Sequence, residues 1–408
     1  MNTITVANSK PLDPLDETTS LETAATSRAL GPDLLRAVAI LLVMLVHLPA
    51  EATPLPLAGI QPYGWIGVDI FFVLSGYLIG NQLMAEAARR NAIDFKTFYM
   101  RRAFRILPAF LLVLAVYTLV PSLRDAPTMQ SFWRFLTFTV NFGLDPRLGG
   151  AFTEAWSLSV EEHFYLLLPL LVVLLKRRAT MVSVALLVAT IVIAGMGLRL
   201  ALWQSQVGPL VEIQAYREAL AVYLRDIYYP TYNRLDGLTF GVVLAAIRLF
   251  KPLLWARYMP PYIALGIGGV AVTAALVIFS VRGPFAETSL PLVFQPLLGA
   301  VVGFPLLSAG TALILGALLD LQRKIGRWHL PAISGIATLS YSLYLTHKGI
   351  YHIDQMVFGR DNLQGLSGFI IYLATCFLAA ATLWFLVERN FLILRDYLVP
   401  RKRRAEET

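Results

Sequence analysis

Apolar residues gather in ten stretches of membrane-spanning length, near 33–49, 64–84, 104–121, 157–175, 180–203, 235–250, 261–281, 297–319, 333–353 and 366–388. The first and sixth are short for the purpose. The segment SFWRFLTFTVNF at 131–142 is too short to span and predicts an interfacial or re-entrant piece. The pattern therefore predicts an all-α, polytopic membrane protein of about ten transmembrane helices. The polar first thirty residues, rich in Thr, Ser, Asp and Glu, lack the basic-then-apolar order of a signal peptide. They predict a flexible tail at 1–30, followed by a membrane domain at 31–394 and a basic tail at 395–408. No internal repeat is evident.

Composition agrees. Of 408 residues, 57% are apolar and 15% charged, where soluble domains carry about a quarter charged residues. The formal net charge of +8 does not imply nucleic acid, because the basic residues sit between apolar segments rather than on one soluble face. They also alternate. Arg89, Arg90, Lys96, Arg101 and Arg102 form one basic connection, and Lys176, Arg177 and Arg178 the next. Lys251 with Arg257, then Arg323, Lys324 and Arg327, then Arg401, Lys402, Arg403 and Arg404 complete the set. The intervening connections hold none at 50–63, Arg282 at 282–296 and Arg360 at 354–365. The positive-inside rule then predicts both termini in the cytoplasm. A single cysteine, Cys376, in an apolar run excludes a disulfide framework and a Cys-rich metal site.

Arg36 and His47 lie inside the first stretch, eleven residues apart. In a helix that spacing leaves them about 20° apart on one face and about 16 Å apart along the axis. Such a stripe needs a polar cavity, unless Arg36 snorkels to the inner interface and His47 caps the outer one. The predicted topology brings other polar groups to the outer layer of His47: Asp69, Glu161 with Glu162, Arg234 with Asp236, and Tyr341, Tyr344 and His347. Asp69 and Glu161 could instead cap helix starts, and Arg234 and Asp236 could form an interfacial pair. Membrane charges gathered from five spans favour a functional chamber around a polar pore. On the inner side Arg102 and Arg105, three apart and sharing a helical face, suit a phosphate or serve as an ordinary anchor. Trp133, Tyr216, Tyr223, Tyr228, Tyr229 and Tyr232 in the long outer connections predict an aromatic belt, or rings that stack on sugars.

These segments, in their order, resemble the acyltransferase-3 family of integral membrane O-acyltransferases. The matching pieces are R-x10-H from Arg36 to His47, GWIGVDIFFVLSGYLIG at 64–80, RRAFRILPAF at 101–110, AWSLSVEEHFYLLLPLL at 155–171, NRLDGLTFG at 233–241, LSYSLYLTH at 339–347 and ERNF at 388–391. The resemblance implies a ten-helix core that takes an acyl group, usually acetyl, from cytoplasmic coenzyme A. It implies delivery to a hydroxyl of an extracytoplasmic or lipid-linked glycan, in a bacterial inner membrane. By the same resemblance His47 is the catalytic histidine and Arg36 its paired arginine. Arg102 and Arg105 hold the coenzyme, Glu161 and Asp69 are the motif carboxylates, and Ser75 belongs to the SG pair. Tyr341, Tyr344 and His347 match the family's SYxxYLxH segment.

Two departures stand out. Arg389 is followed by Asn390 where many relatives have proline, and position 163 is His where Gln is common. The chain is expected to lack the SGNH hydrolase-like domain fused in some relatives. The expected mechanism has His47 as general base, oriented by Asp69 or Glu161, and Arg36 on the coenzyme path. Acetyl-CoA is the expected donor, with no metal. A transporter or flippase, a non-catalytic scaffold, or an enzyme acylating a small natural product are the competing classes. The acceptor and the oligomeric state stay open.

Overall fold

The computed structural model describes residues 30–90, 92–176, 180–283, 289–325 and 330–400. The tail at 1–29 and the basic residues Arg177, Arg178, Arg327, Arg401, Lys402, Arg403 and Arg404 lie outside the described residues, as do the side chains of Lys176, Arg323 and Lys324. Each of the ten apolar segments is occupied by a helix: α1 (Leu30–His47), α2 (Ile66–Arg90), α3 (Phe95–Leu119), α4 (Ala155–Lys176), α5 (Met181–Leu202), α6 (Asp236–Phe250), α7 (Pro261–Ser280), α8 (Phe304–Ile325), α9 (Pro331–Phe358) and α10 (Gly365–Leu383). Local chemistry sets several starts. Asp94 accepts from Thr97 N (3.0 Å) to open α3, and Thr180 and Ser183 form a reciprocal capping box before α5. Prolines occupy the first turns of α7 and α9, where a missing N–H costs nothing.

Among the described residues, eight helices are long and apolar enough to cross a bilayer, or nine if α6 is joined to the short helix Pro252–Tyr258, from which it bends by 106°. The helix α9 has the length, 28 residues, but its Ser, Tyr, His, Lys and Asp side chains keep it off that count. This is a multi-pass membrane protein whose ninth segment is a polar helix shielded by its neighbours. The apolar face of α5 shows the contrast: of its 22 residues only Gly195 and Arg199 are buried, and Val182, Leu186 and Ile193 look outward. A helix apolar all round belongs against lipid.

Around the polar interior, α2 packs on α6, α7 on α8, and α9 on α1 and α10. The α2–α6 contact is backbone to backbone. A Cβ on Gly76 would strike the Leu238 carbonyl, and one on Gly241 the Val73 carbonyl. Small residues permit this approach, which is how helices associate where lipid removes the hydrophobic drive.

The long connections at 120–154 and 203–235 cover the end of the bundle that holds His47. The five-residue helix Phe132–Leu136 is all that forms in the segment expected to be too short to span. Tyr223, Tyr228 and Tyr229 do not form a belt: they are buried with Trp156, Phe294 and Phe304. Trp133 and Tyr232 remain exposed. At the other end α10 runs through a single wide turn, Trp384–Glu388, into α11 (Arg389–Leu398), which lies along α3. With Asn390 in place of a proline, nothing interrupts the helical backbone there.

Candidate active site

A cavity of about 300 Å³ opens among α1, α2, α3, α4 and α9. Arg36, Arg101, Arg102, Arg105 and Arg395 stand at one end, and Phe72, Ser157 and Tyr344 at the other. Its wall on α2 runs from Val68 to Gln82, fourteen helical steps and hence about 21 Å of helix. Most of the residues expected in a pore do meet here: Arg36, Ser75, Arg102, Arg105, Glu161, Tyr341 and Tyr344 all line it.

Carboxylates hold the arginines in place. Arg105 pairs with Glu388 at 2.5 Å, and Glu388 also accepts from Ser342 (2.9 Å). Arg102 faces Glu162 at 3.6 Å and stacks on the Tyr165 ring at 3.1 Å from its centre. Arg101 reaches Asp396 (2.8 Å) on α11 and the carbonyl of Val399 just past its end. Arg36 lies 3.6 Å from Asp33, one turn earlier. Halfway along the wall Glu161 accepts from Ser75 (2.8 Å) and Tyr165 (2.9 Å). Tyr341 donates to the Ile106 carbonyl at 2.9 Å.

The far end is closed. Tyr344 Oη lies 2.6 Å from Ser157 Oγ and donates to the Glu154 carbonyl at 3.1 Å. One turn further along α9, His347 sits fully buried against His47, their ring centres 5.0 Å apart. His47, the last residue of α1, is exposed. Its Nδ1 lies 2.9 Å from the Val43 carbonyl and 3.2 Å from His347 Nε2. Beside them Lys348 is fastened to Asp125 (2.6 Å), Glu154 (3.2 Å) and Thr153 (2.8 Å).

The expected orienting acids are elsewhere. Neither Asp69 nor Glu161 hydrogen-bonds His47 among the described residues; His347 occupies that place. Asp69 instead pairs with Arg234 at 2.8 Å, both buried. The Arg234 guanidinium lies 4.1 Å from the Phe304 ring centre and 4.6 Å from that of Tyr228, within cation–π range. Asp236 does not pair with Arg234 but with Arg199 (2.7 Å), which also donates to the Asn233 carbonyl at 2.6 Å. His163 turns away from the cavity, to Thr231 Oγ1 at 2.7 Å and onto the Phe142 ring.

Sequence reasoning passed over Arg199, Tyr165, Ser157, Lys348 and the part played by Glu388. A lone arginine in an apolar span signalled the first, since buried membrane charge must find a partner; the others carried no comparable mark.

Comparison with known proteins bears on what this geometry serves. The O-acetyltransferase OatA of Staphylococcus aureus is 37% identical over 165 residues, covering 36% of this chain and 25% of its own length. The peptidoglycan O-acetyltransferase OatA of Listeria monocytogenes is 28% identical over 364 residues, covering 83% of this chain and 53% of its own. The chain thus spans about half the length of the second relative and about a quarter of the first. No solved structure gives a significant match. The family model described as an acyltransferase domain matches residues 30–388. That match takes in α1, α2, α3, α4, α9 and both histidines, leaving out of the cavity wall only Arg395 on α11, and the chain belongs to the acyltransferase-3 family.

Proposed function

We propose that this protein is a membrane O-acyltransferase that moves an acetyl group from acetyl-CoA at the arginine-lined end to a glycan hydroxyl at the histidine end. The observation that carries the reading is a cavity mouthed by arginines that stops one helical turn short of an imidazole pair. The names of the two relatives support acetyl as the group and a glycan such as peptidoglycan as the acceptor class. The alternation of basic connections supports a cytoplasmic arginine end and an extracytoplasmic histidine end, as in a bacterial inner membrane.

The residues fit a coenzyme donor. A guanidinium has five N–H groups, so a carboxylate partner can fix Arg102 or Arg105 without exhausting its capacity for phosphate. A cavity of about 300 Å³ is at the small end of ligand clefts and suits a slender pantetheine arm, with the nucleotide left at the mouth near Arg101 and Arg395. Arg36, Ser75, Glu161, Tyr341 and Tyr344 line the path. Asp69, Arg234 and Asp236 belong to the buried frame behind it.

At the far end His47 serves as the general base, removing the proton of the acceptor hydroxyl as the oxygen attacks the thioester carbonyl. The new C–O bond replaces the C–S bond, and the proton held by His47 returns to the departing thiolate. A positioned base of this kind is worth about 10²–10⁴-fold in rate.

The test uses the full chain in sealed vesicles with labelled acetyl-CoA outside the arginine end and mass spectrometry of the acceptor glycan. Wild type should add one acetyl mass, His47→Ala should abolish the gain, and Arg102→Ala with Arg105→Ala should raise KM for acetyl-CoA. Glycan movement without consumption of acetyl-CoA would show a flippase and refute the reading.

A further inference from the structure

Resting on that reading, we propose that His347 is the positioning residue for His47: it accepts from His47 Nδ1–H and so leaves His47 Nε2 as the proton-accepting atom. The donors and acceptors around the two rings fix both tautomers. His347 Nδ1 lies 2.9 Å from the Tyr344 carbonyl and 3.1 Å from the Leu343 carbonyl. Carbonyls only accept, so this nitrogen carries the hydrogen. A neutral imidazole has a single N–H, and His347 Nε2 is therefore a lone pair. That lone pair points at His47 Nδ1 across 3.2 Å, while the Val43 carbonyl meets the same nitrogen at 2.9 Å. Two acceptors converging on one nitrogen place the hydrogen of His47 on Nδ1. Its Nε2, which has no hydrogen-bond partner among the described residues, holds the lone pair.

The carbonyls come free of charge from helix geometry. Val43 lies four residues before His47 on α1, and Leu343 and Tyr344 lie one turn before His347 on α9, so each ring bonds back to a helical carbonyl that has a second lone pair to offer. The ring of His347 is fixed by burial and by the Tyr351 ring set edge-on at 6.1 Å. Tyr351 Oη in turn donates to the Met44 carbonyl at 3.2 Å, so α9 and α1 are pinned together at the pair.

In a Ser-His-Asp triad a carboxylate fixes the tautomer and steadies the imidazolium. Here a neutral nitrogen does the first task and only part of the second. The charged groups facing the pair agree with that division. From α9 comes the ammonium of Lys348, and from the covering connection come Asp125 and Glu154, which hold it. The remaining titratable neighbours are Tyr344, Tyr351 and, on α10, Cys376, whose Sγ lies 3.8 Å from the His347 carbonyl. Both carboxylates are engaged by Lys348, and neither is hydrogen-bonded to an imidazole among the described residues.

Two measurements test this on the full-length protein in lipid nanodiscs. The first is 15N spectroscopy of histidine-labelled enzyme above the imidazole titration range, with the His47 signal assigned by its loss in His47→Asn. A protonated Nδ1 and bare Nε2 are expected; the opposite tautomer overturns the proposal whether or not any variant folds. The second is kinetic. His347→Leu should lower kcat about 10- to 100-fold, as loss of an outer partner does for ligating histidines, with KM for acetyl-CoA within twofold. His347→Gln, whose side-chain oxygen can accept, should recover much of that loss. Wild-type kcat in His347→Leu, or no recovery in His347→Gln, overturns the positioning role. Full transfer by His47→Ala would instead remove the base itself, a separate failure.

Discussion

The Asp69–Arg234 pair allows a stability prediction that also decides what Asp69 does. Both side chains are almost wholly buried, at 4% and 1% exposure, and lie 2.8 Å apart. Asp69→Leu strips Arg234 of its counter-ion while the Phe304 and Tyr228 rings stay in place, so the cation–π term is common to both proteins and does not soften the loss. Leaving one charge of a buried pair uncompensated costs about 3–5 kcal/mol. Asp69→Asn keeps an acceptor for the guanidinium and should lose less, about 1.5–3 kcal/mol, the range for a hydrogen bond to a charged group. Asp69→Leu with Arg234→Met removes both charges, and such replacements are often neutral. The double variant should therefore recover most of the stability that the first substitution removes. The single buried cysteine, Cys376, provides the assay: a thiol-reactive fluorophore labels it only on unfolding. A double-mutant cycle in Tm then isolates the coupling. If Asp69→Leu melts with wild type, or if the two losses simply add, the pair does not hold the frame together. If Asp69→Asn keeps its Tm but loses transfer per folded molecule, Asp69 belongs to the chemistry and not to the frame.

Gly76→Val should destabilise by about 1–3 kcal/mol through overpacking, because its side chain would meet the Leu238 backbone; a Tm equal to wild type would mean that α2 and α6 can part freely. Lys348→Met leaves Asp125 and Glu154 without their shared cation, so it should lower Tm and speed proteolysis of the connection at 120–154, whereas Lys348→Arg should keep most of the protection. In the covering connection, hydrogen bonds from the Arg147 side chain hold Asp145 below the usual carboxylate range. Its stabilising effect is therefore present above about pH 4 and lost as the pH falls through the folded value; Asp145→Asn should melt slightly below wild type at pH 7, a small gap because the arginine is exposed, with the gap closing in acid.

Depth was legible in the sequence and partnership was not. The ten apolar stretches located all ten helices because each stretch needs a helix to satisfy its own backbone in lipid. Alternating direction then set Asp69, Arg234, Asp236 and His347 at the level of His47. Which of them touch was another matter. Arg234 and Asp236 are two residues apart, a spacing that does not bring side chains together on a helical face, so each turns to a different helix, Arg234 to Asp69 and Asp236 to Arg199. His47 and His347 are 300 positions apart, and nothing in either motif announces that α9 lies on α1. The tyrosines read as a belt were misplaced for a related reason. Composition gives their level in the membrane, but the fold of the connection decides whether they face lipid or the core.

The hydrogen-bonded closure at Tyr344 and Ser157 has an electrical meaning. Each elementary charge that crosses an energised membrane releases about 2.3 kcal/mol per 100 mV, so an aqueous route open from the arginines to the histidines would drain the gradient continuously. A tyrosine that bars the route with two hydrogen bonds lets the protein be hollow without being conductive. On the proposed function, an acyl carrier bound for the histidines would have to break those bonds and fill the gap with its own uncharged thread, so that the passage would open only while plugged.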